Sequence, residues 1–433
     1  MFDLALLNGS AFINGEVKKV NIFTKGPRIA KISRSSSEQA EKTLDCTGLL
    51  ILPGVIDSHV HFREPGLTHK EDWETGSASA AAGGVCTVID MPNTMPPTTT
   101  AELLEEKRKL AEKKSVVDFR LHFGATGKNT EEILKAEGFV GLKVFMASST
   151  GNLLLENDDD ILAAFKAAAH KRVPAVVHAE DEMLVRKCVY EAKSAGRNDA
   201  LAHCEARSPA AATRGAERAI KLSASAGNRL HLLHVSTEGE LAAVRAAKES
   251  GLPVTCEATP THLFLNMHDV NRLGCFAKLN PPLRSERDRA ALLRALESGL
   301  IDTVGSDHAP HTKEEKQESV WKAPSGVPGV QTLLPLLLNE HLNGNISLRR
   351  LVEVTSGAPA RIFGLSGKGD IAVGYNADFS IVDLKREWVI KDDMVLSKCG
   401  WTPFHGKKVK GRVEKTIVSG ELVFEAGSLF ISP

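Results

Sequence analysis

The chain of 433 residues is 42% hydrophobic and 25% charged, a composition that supports one large packed domain with a smaller one beside it. Lysine plus arginine balance aspartate plus glutamate at 54 each, so no net field draws nucleic acid or an anionic membrane, and partners are sought at a local site. Seven scattered cysteines with no C-x-x-C pair, an N-terminus without a basic region or cleavable apolar core, and apolar runs below the roughly 20 residues of a membrane span predict a reducing, cytoplasmic protein with no transmembrane segment.

Residues 1–52 contain β-like runs broken by Asn-Gly and Gly turns, as in "FINGEVKKV", with a polar stretch at 33–42 predicted as a loop. Residues 369–433 read the same way ("ADFSIVDL", "KTIVSGELVFEAG"), and the two ends together predict a small β-sandwich built from both termini. Between them, residues 53–368 alternate short β-rich runs with alanine-rich amphipathic stretches. The runs are 55–62, 84–91, 117–126, 141–146, 174–180, 229–236, 253–259 and 301–310. Helices are predicted over 100–114, 158–172, 237–251 and 285–299, with acidic starts and basic or glycine ends. Strand and helix alternating around eight strands predicts an α/β fold, a parallel (β/α)8 TIM-like barrel. No glycine-rich dinucleotide fingerprint follows the first strand.

Chemistry gathers at the strand ends. In "VIDSHVHFREPG", His59 and His61 stand two apart at the end of the first run, where strand geometry points both to one side. Taken alone, H-x-H reads equally as two polar residues at a strand terminus. The fourth run carries Lys143, the fifth ends in His178, the sixth in His234 and the eighth in Asp307, and a barrel brings all these ends to one face. Burying so many polar groups without partners is costly, so an organising centre is expected. Imidazole and carboxylate suit zinc and other divalent metals. An ammonium beside a metal fits only if the amine is altered or deprotonated.

The pattern D-x-H-x-H followed by lysine, histidine, histidine and aspartate in that strand order resembles the cyclic amidohydrolases of the amidohydrolase superfamily. The resemblance spans nearly the whole chain. It implies two Zn2+ or other divalent metals, one held by His59, His61 and Asp307, the other by His178 and His234. It further implies a CO2-derived carbamate on Lys143 that bridges them, and Asp307 as the catalytic proton acceptor and donor in opening or closing a ring amide.

Substrate choice is expected beside the metals. Arg63, two past His61 and on the same face if the strand continues, is suited to grip a carboxylate in a bidentate pair. Asn93 in "MPNT" and His311 in "SDHAPHT" are predicted to donate to the same anion, and Asn280 in "KLNPPLR" to contact the ring. "PSGVPGV" (324–330) offers backbone groups to the ring amide and carbonyl, although each of these loops reads equally as a plain turn. The motifs "HFREPG", "MPNT" and "SDHAPHT" resemble the dihydroorotase branch of the family, which implies dihydroorotate and carbamoyl aspartate as small-molecule substrates. It also implies a homodimer, with aspartate transcarbamoylase as a candidate partner. Allantoinase or hydantoinase/dihydropyrimidinase is the enzymatic alternative, and a non-catalytic scaffold of the same fold the remote one. His122, His203, His231, His262 and His308 read as structural histidines, and Cys256 and Cys275 as small packing residues.

Overall fold

The computed structural model describes residues 1–149 and 153–430, which form a (β/α)8 barrel joined to a two-sheet β-sandwich. The parallel barrel strands are Val55–Val60, Val85–Asp90, Asp118–Gly124, Gly141–Phe145, Ala175–His178, Leu230–Leu232, Val254–Ala258 and Thr303–Val304, each paired with the next. Each lies inside a predicted run. Their Val, Ile and Leu side chains are covered on both faces, as expected of parallel strands between a filled interior and a ring of helices.

The eighth strand has only two residues, so the segment after it closes the barrel against the first strand. The His61 N–H donates to the His308 carbonyl at 2.8 Å, and the His308 N–H to the His59 carbonyl at 3.3 Å. Asp57, the aspartate of D-x-H-x-H, adds a clasp: its Oδ1 accepts from the Ser306 N–H at 2.9 Å and the His59 N–H at 3.2 Å. Closure and the placing of Asp307 are therefore one piece of structure.

The four predicted helices are present as Ala101–Lys114, Asp158–His170, Glu238–Glu249 and Glu286–Glu297. Thr100 caps the first through the Leu103 N–H, and Thr237 with Glu240 forms a capping box on the third. The fifth and sixth barrel strands are joined by three helices, Glu182–Ser194, Ala200–Ala206 and Pro209–Ala226. Gly215 lets the last of these press on the strand end that carries His178, because a Cβ there would fall 2.6 Å from the Ala179 carbonyl carbon. Leu333, Leu334, Leu336, Leu337 and Leu338 lie in a buried helix, Leu333–Leu342, and among the described residues no helix is long and apolar enough to cross a membrane.

One sandwich sheet runs Arg28–Ser33, Asn21–Lys25, Phe2–Leu7, Ala40–Asp45. The other joins both chain ends, with Leu50–Pro53 between Phe379–Val389 (antiparallel) and Ser10–Ile13 (parallel). Leu4, Leu6, Ile22, Ile51, Phe379 and Ile417 pack between the two sheets. Within the predicted 33–42 loop, residues from Ala40 onward are strand. Parallel pairing of Phe2 with Ala40 recruits them, and an edge position tolerates the exposed Glu41 and Lys42 side chains.

Candidate active site

The C-terminal ends of the barrel strands bring His59, His61, Lys143, His178, His234 and Asp307 around one pocket, together with Arg63, Asn93 and Asn280. The Nε2 atoms of His59 and His61 each lie 3.1 Å from Asp307 Oδ1. Their other ring nitrogens are held from behind. His59 Nδ1–H donates to Glu257 Oε1 at 2.7 Å, and His61 Nδ1–H to Asn93 Oδ1 at 2.6 Å. Both imidazoles thus present Nε2 lone pairs to the pocket, an arrangement in which an outer acceptor fixes the tautomer of a metal-binding histidine. Burial pushes His59 down to about 3 and holds His61 well below the usual histidine range, so both are neutral near pH 7.

On the other side, His178 Nε2–H donates to Glu180 Oε2 at 3.1 Å, which aims Nδ1 at His234 Nε2, 3.1 Å away. Burial alone would raise the Glu180 carboxyl, but Arg207 and His178 outweigh it and hold the group below its ordinary value. The Arg207 Nε donates to Glu180 Oε2 at 3.0 Å. Arg284, from "KLNPPLR", reaches the same place and donates through Nε to Ser236 Oγ at 3.1 Å. Lys143 is 1% exposed, its Nζ stands 4.4 Å from the Phe145 ring centroid, and burial pushes its ammonium down to about 7. His59, His234 and Asp307 offer ligand atoms within 4.8 Å of one another, a group that could hold a metal ion.

Strand alternation does not deliver all of these groups. His61, Arg63, His234 and Asp307 lie beyond the ends of their strands, and the last three have φ of 63°, 38° and 48°. Left-handed backbone at a bulky residue costs about 1–2 kcal/mol, and it concentrates here because the clasp around Ser306 and the turns after the strands over-determine it. Arg63 enters the pocket through this kink and not through a continued strand.

Its guanidinium is 1% exposed, and burial pushes it down to about 10. Among the described residues, Nε and Nη1 have no hydrogen-bond partner, while Nη2 lies 3.2 Å from His311 Nε2. His311 lies between Lys70 Nζ at 3.1 Å and the Ser325 carbonyl at 3.1 Å. Asn93 lines the pocket while its Oδ1 serves His61, and Asn280 presents a buried Oδ1 with no partner among the described residues.

The five histidines expected to be structural have such partners. His122 meets the Ser58 carbonyl, His203 the Leu279 carbonyl, His231 the Thr255 hydroxyl, His262 the Pro281 carbonyl and His308 the Glu71 carboxylate. Sequence reasoning missed Glu257 and Glu180. The available signals were a glutamate inside the buried run "PVTCEAT" and a carboxylate two residues past His178 in "HAE".

Residues 50–423 match the amidohydrolase family. The chain is 40% identical over 448 residues to a dihydroorotase of Methanosarcina mazei, covering 100% of this chain and 96% of that protein. It is 44% identical over 385 residues to a dihydroorotase of Halobacterium salinarum, covering 88% and 87%. In structure it is similar to the L-hydantoinase (dihydropyrimidinase) of Arthrobacter aurescens, with TM-score 0.96, 36% identity and coverage of 100% of this chain and 98% of that one. With the barrel, the strand-end histidines and the near full-length match in agreement, the chain belongs to the amidohydrolase family.

Proposed function

We propose that this protein is a metal-dependent dihydroorotase, interconverting N-carbamoyl-L-aspartate and L-dihydroorotate by forming and opening a ring amide. The observation that carries the substrate is Arg63: a buried guanidinium at the pocket with Nε and Nη1 unpartnered among the described residues calls for an anion, and a ring carboxylate supplies one. The relatives named dihydroorotase support the same reading.

The donor set fits two divalent metals, zinc foremost. His59, His61 and Asp307 would hold one, and His178 and His234 the other, with carboxylated Lys143 between them. Carboxylation needs a neutral amine, and burial among imidazoles and beside Phe145 favours that form over an ammonium. Bound metals would polarise the ring carbonyl and bring the pKa of a water toward neutrality. The Asp307 carboxylate, 13% exposed and facing the pocket, is placed to take a proton from the attacking water and return it to the leaving ring nitrogen. Arg63 fixes the ring through its carboxylate, and Asn93 and Asn280 border the same space. The resemblance extends this reading to a cytoplasmic homodimer able to associate with aspartate transcarbamoylase.

The structural likeness to an L-hydantoinase favours a second reading, hydrolysis of an uncharged ring. Arg63→Ala separates them. Dihydroorotase action predicts a collapse of kcat/KM on dihydroorotate, whereas an unchanged value removes the carboxylate from the account.

A further inference from the structure

We infer that Lys316 is a positioning residue for the substrate: its ammonium binds together the two loops that wall the pocket, 278–284 and 324–330, in the shape that receives the ring. Lys316 ends the short helix Lys313–Lys316 and is 0% exposed. A lysine ammonium has three donors and no acceptor, and here each meets a carbonyl: Lys278 at 2.9 Å, Pro324 at 2.9 Å and Gly326 at 3.0 Å. Those carbonyls come from two loops far apart in sequence.

The clamp continues around them. The Gly326 N–H donates to the same Lys278 carbonyl at 2.9 Å, and the Lys278 ammonium donates to the Val320 carbonyl at 2.6 Å and the Ala323 carbonyl at 2.5 Å. Gly326, at φ 140°, seats so closely that a Cβ would fall 2.5 Å from the Ala309 carbonyl oxygen. Two pocket-lining residues hang directly on this arrangement: Asn280 lies two positions after Lys278, and Ser325 lies between Pro324 and Gly326.

The charge is costly where it sits. Burial pushes Lys316 down to about 7, and the neighbouring Lys278 opposes its ionised form further. The adjacent carboxylate of Glu315 is turned to the Thr312 N–H and Lys70 instead. A site needing only filled volume would be served more cheaply by methionine or leucine, so the retained ammonium points to the three carbonyls it orders. The inference rests on the dihydroorotase reading only in taking these loops as the ring's wall.

Lys316→Met keeps the aliphatic stem and removes the donors. In the metal-loaded protein the expected result is a KM for dihydroorotate raised about tenfold, kcat within about threefold, and metal content unchanged. Faster hydrogen exchange over residues 320–327 is expected alongside. If the variant does not fold, exchange in the unaltered protein still decides: the Gly326 and Ala309 amides are expected to be slow without substrate, and exchange at the rate of an open loop overturns the clamp. An unaltered protein inactive on dihydroorotate refutes the substrate reading. An active one whose KM is unmoved by Lys316→Met refutes the role of Lys316.

Discussion

Asp307 Oδ1 stands 3.1 Å from the Nε2 atoms of both His59 and His61, so one carboxylate oxygen and two imidazole lone pairs converge on one point. The convergence depends on groups outside the pocket centre. Glu257 and Asn93 occupy the Nδ1 atoms, and without them either ring is free to turn or to change tautomer.

Glu257→Gln and Asn93→Ala are therefore expected to weaken divalent metal binding by about 10–100-fold while leaving the barrel folded. Metal titration of chelator-treated protein checks this. Wild-type affinity in both variants would mean that the Nε2 orientation is set by packing alone.

Arg63→Ala is expected to lower kcat/KM for dihydroorotate by about 100-fold or more, because a buried bidentate charge pair is lost from the bound state. Arg63→Lys is expected to recover little, since an ammonium lacks the planar fork. Steady-state kinetics on dihydroorotate, with dihydrouracil as the carboxylate-free comparison, provides the check.

Lys143→Ala is expected to retain fewer than two metals per chain, and reconstitution of the unaltered protein is expected to depend on bicarbonate. Metal analysis after reconstitution with and without bicarbonate tests both. A variant with two bound metals and full turnover would remove Lys143 from the site.

The Glu180 carboxyl is held below its ordinary value of 4.5, so its contribution to stability is fully present above about pH 4.5 and is lost as pH falls through the lower folded value. Glu180→Gln is expected to cost about 3–5 kcal/mol at pH 7, because Arg207 is left buried without its counter-charge. On acidification below pH 4.5 the variant should lose less further stability than the parent. Thermal unfolding of both chelator-treated proteins at pH 7 and pH 3 measures the difference. Parallel losses would show that other carboxylates dominate the acid limb.

The barrel was legible because short β-rich runs, most of them carrying Val, Ile or Leu, alternate with helical stretches, and because eight such runs admit few arrangements. The gathering of His59, His61, Lys143, His178, His234 and Asp307 followed from the rule that strand ends share a face. How three of the pocket residues get there did not: Arg63, His234 and Asp307 turn in through left-handed backbone, which has no sequence signature in bulky side chains. The path of the chain after Asp307 was not legible either, since it is set by backbone pairing of His308 with both the first strand and Val327. Lys316 in "HTKEEKQ" looks like one more exposed helix charge, and only burial distinguishes it.

The most direct measurement is a turnover comparison of the zinc-reconstituted protein, prepared with bicarbonate, on L-dihydroorotate, dihydrouracil and allantoin. The account predicts a preference for dihydroorotate by orders of magnitude in kcat/KM. Equal or better turnover of an uncharged ring would contradict it, leaving the histidine and aspartate cluster as a metal site but removing the ring carboxylate as the partner of Arg63.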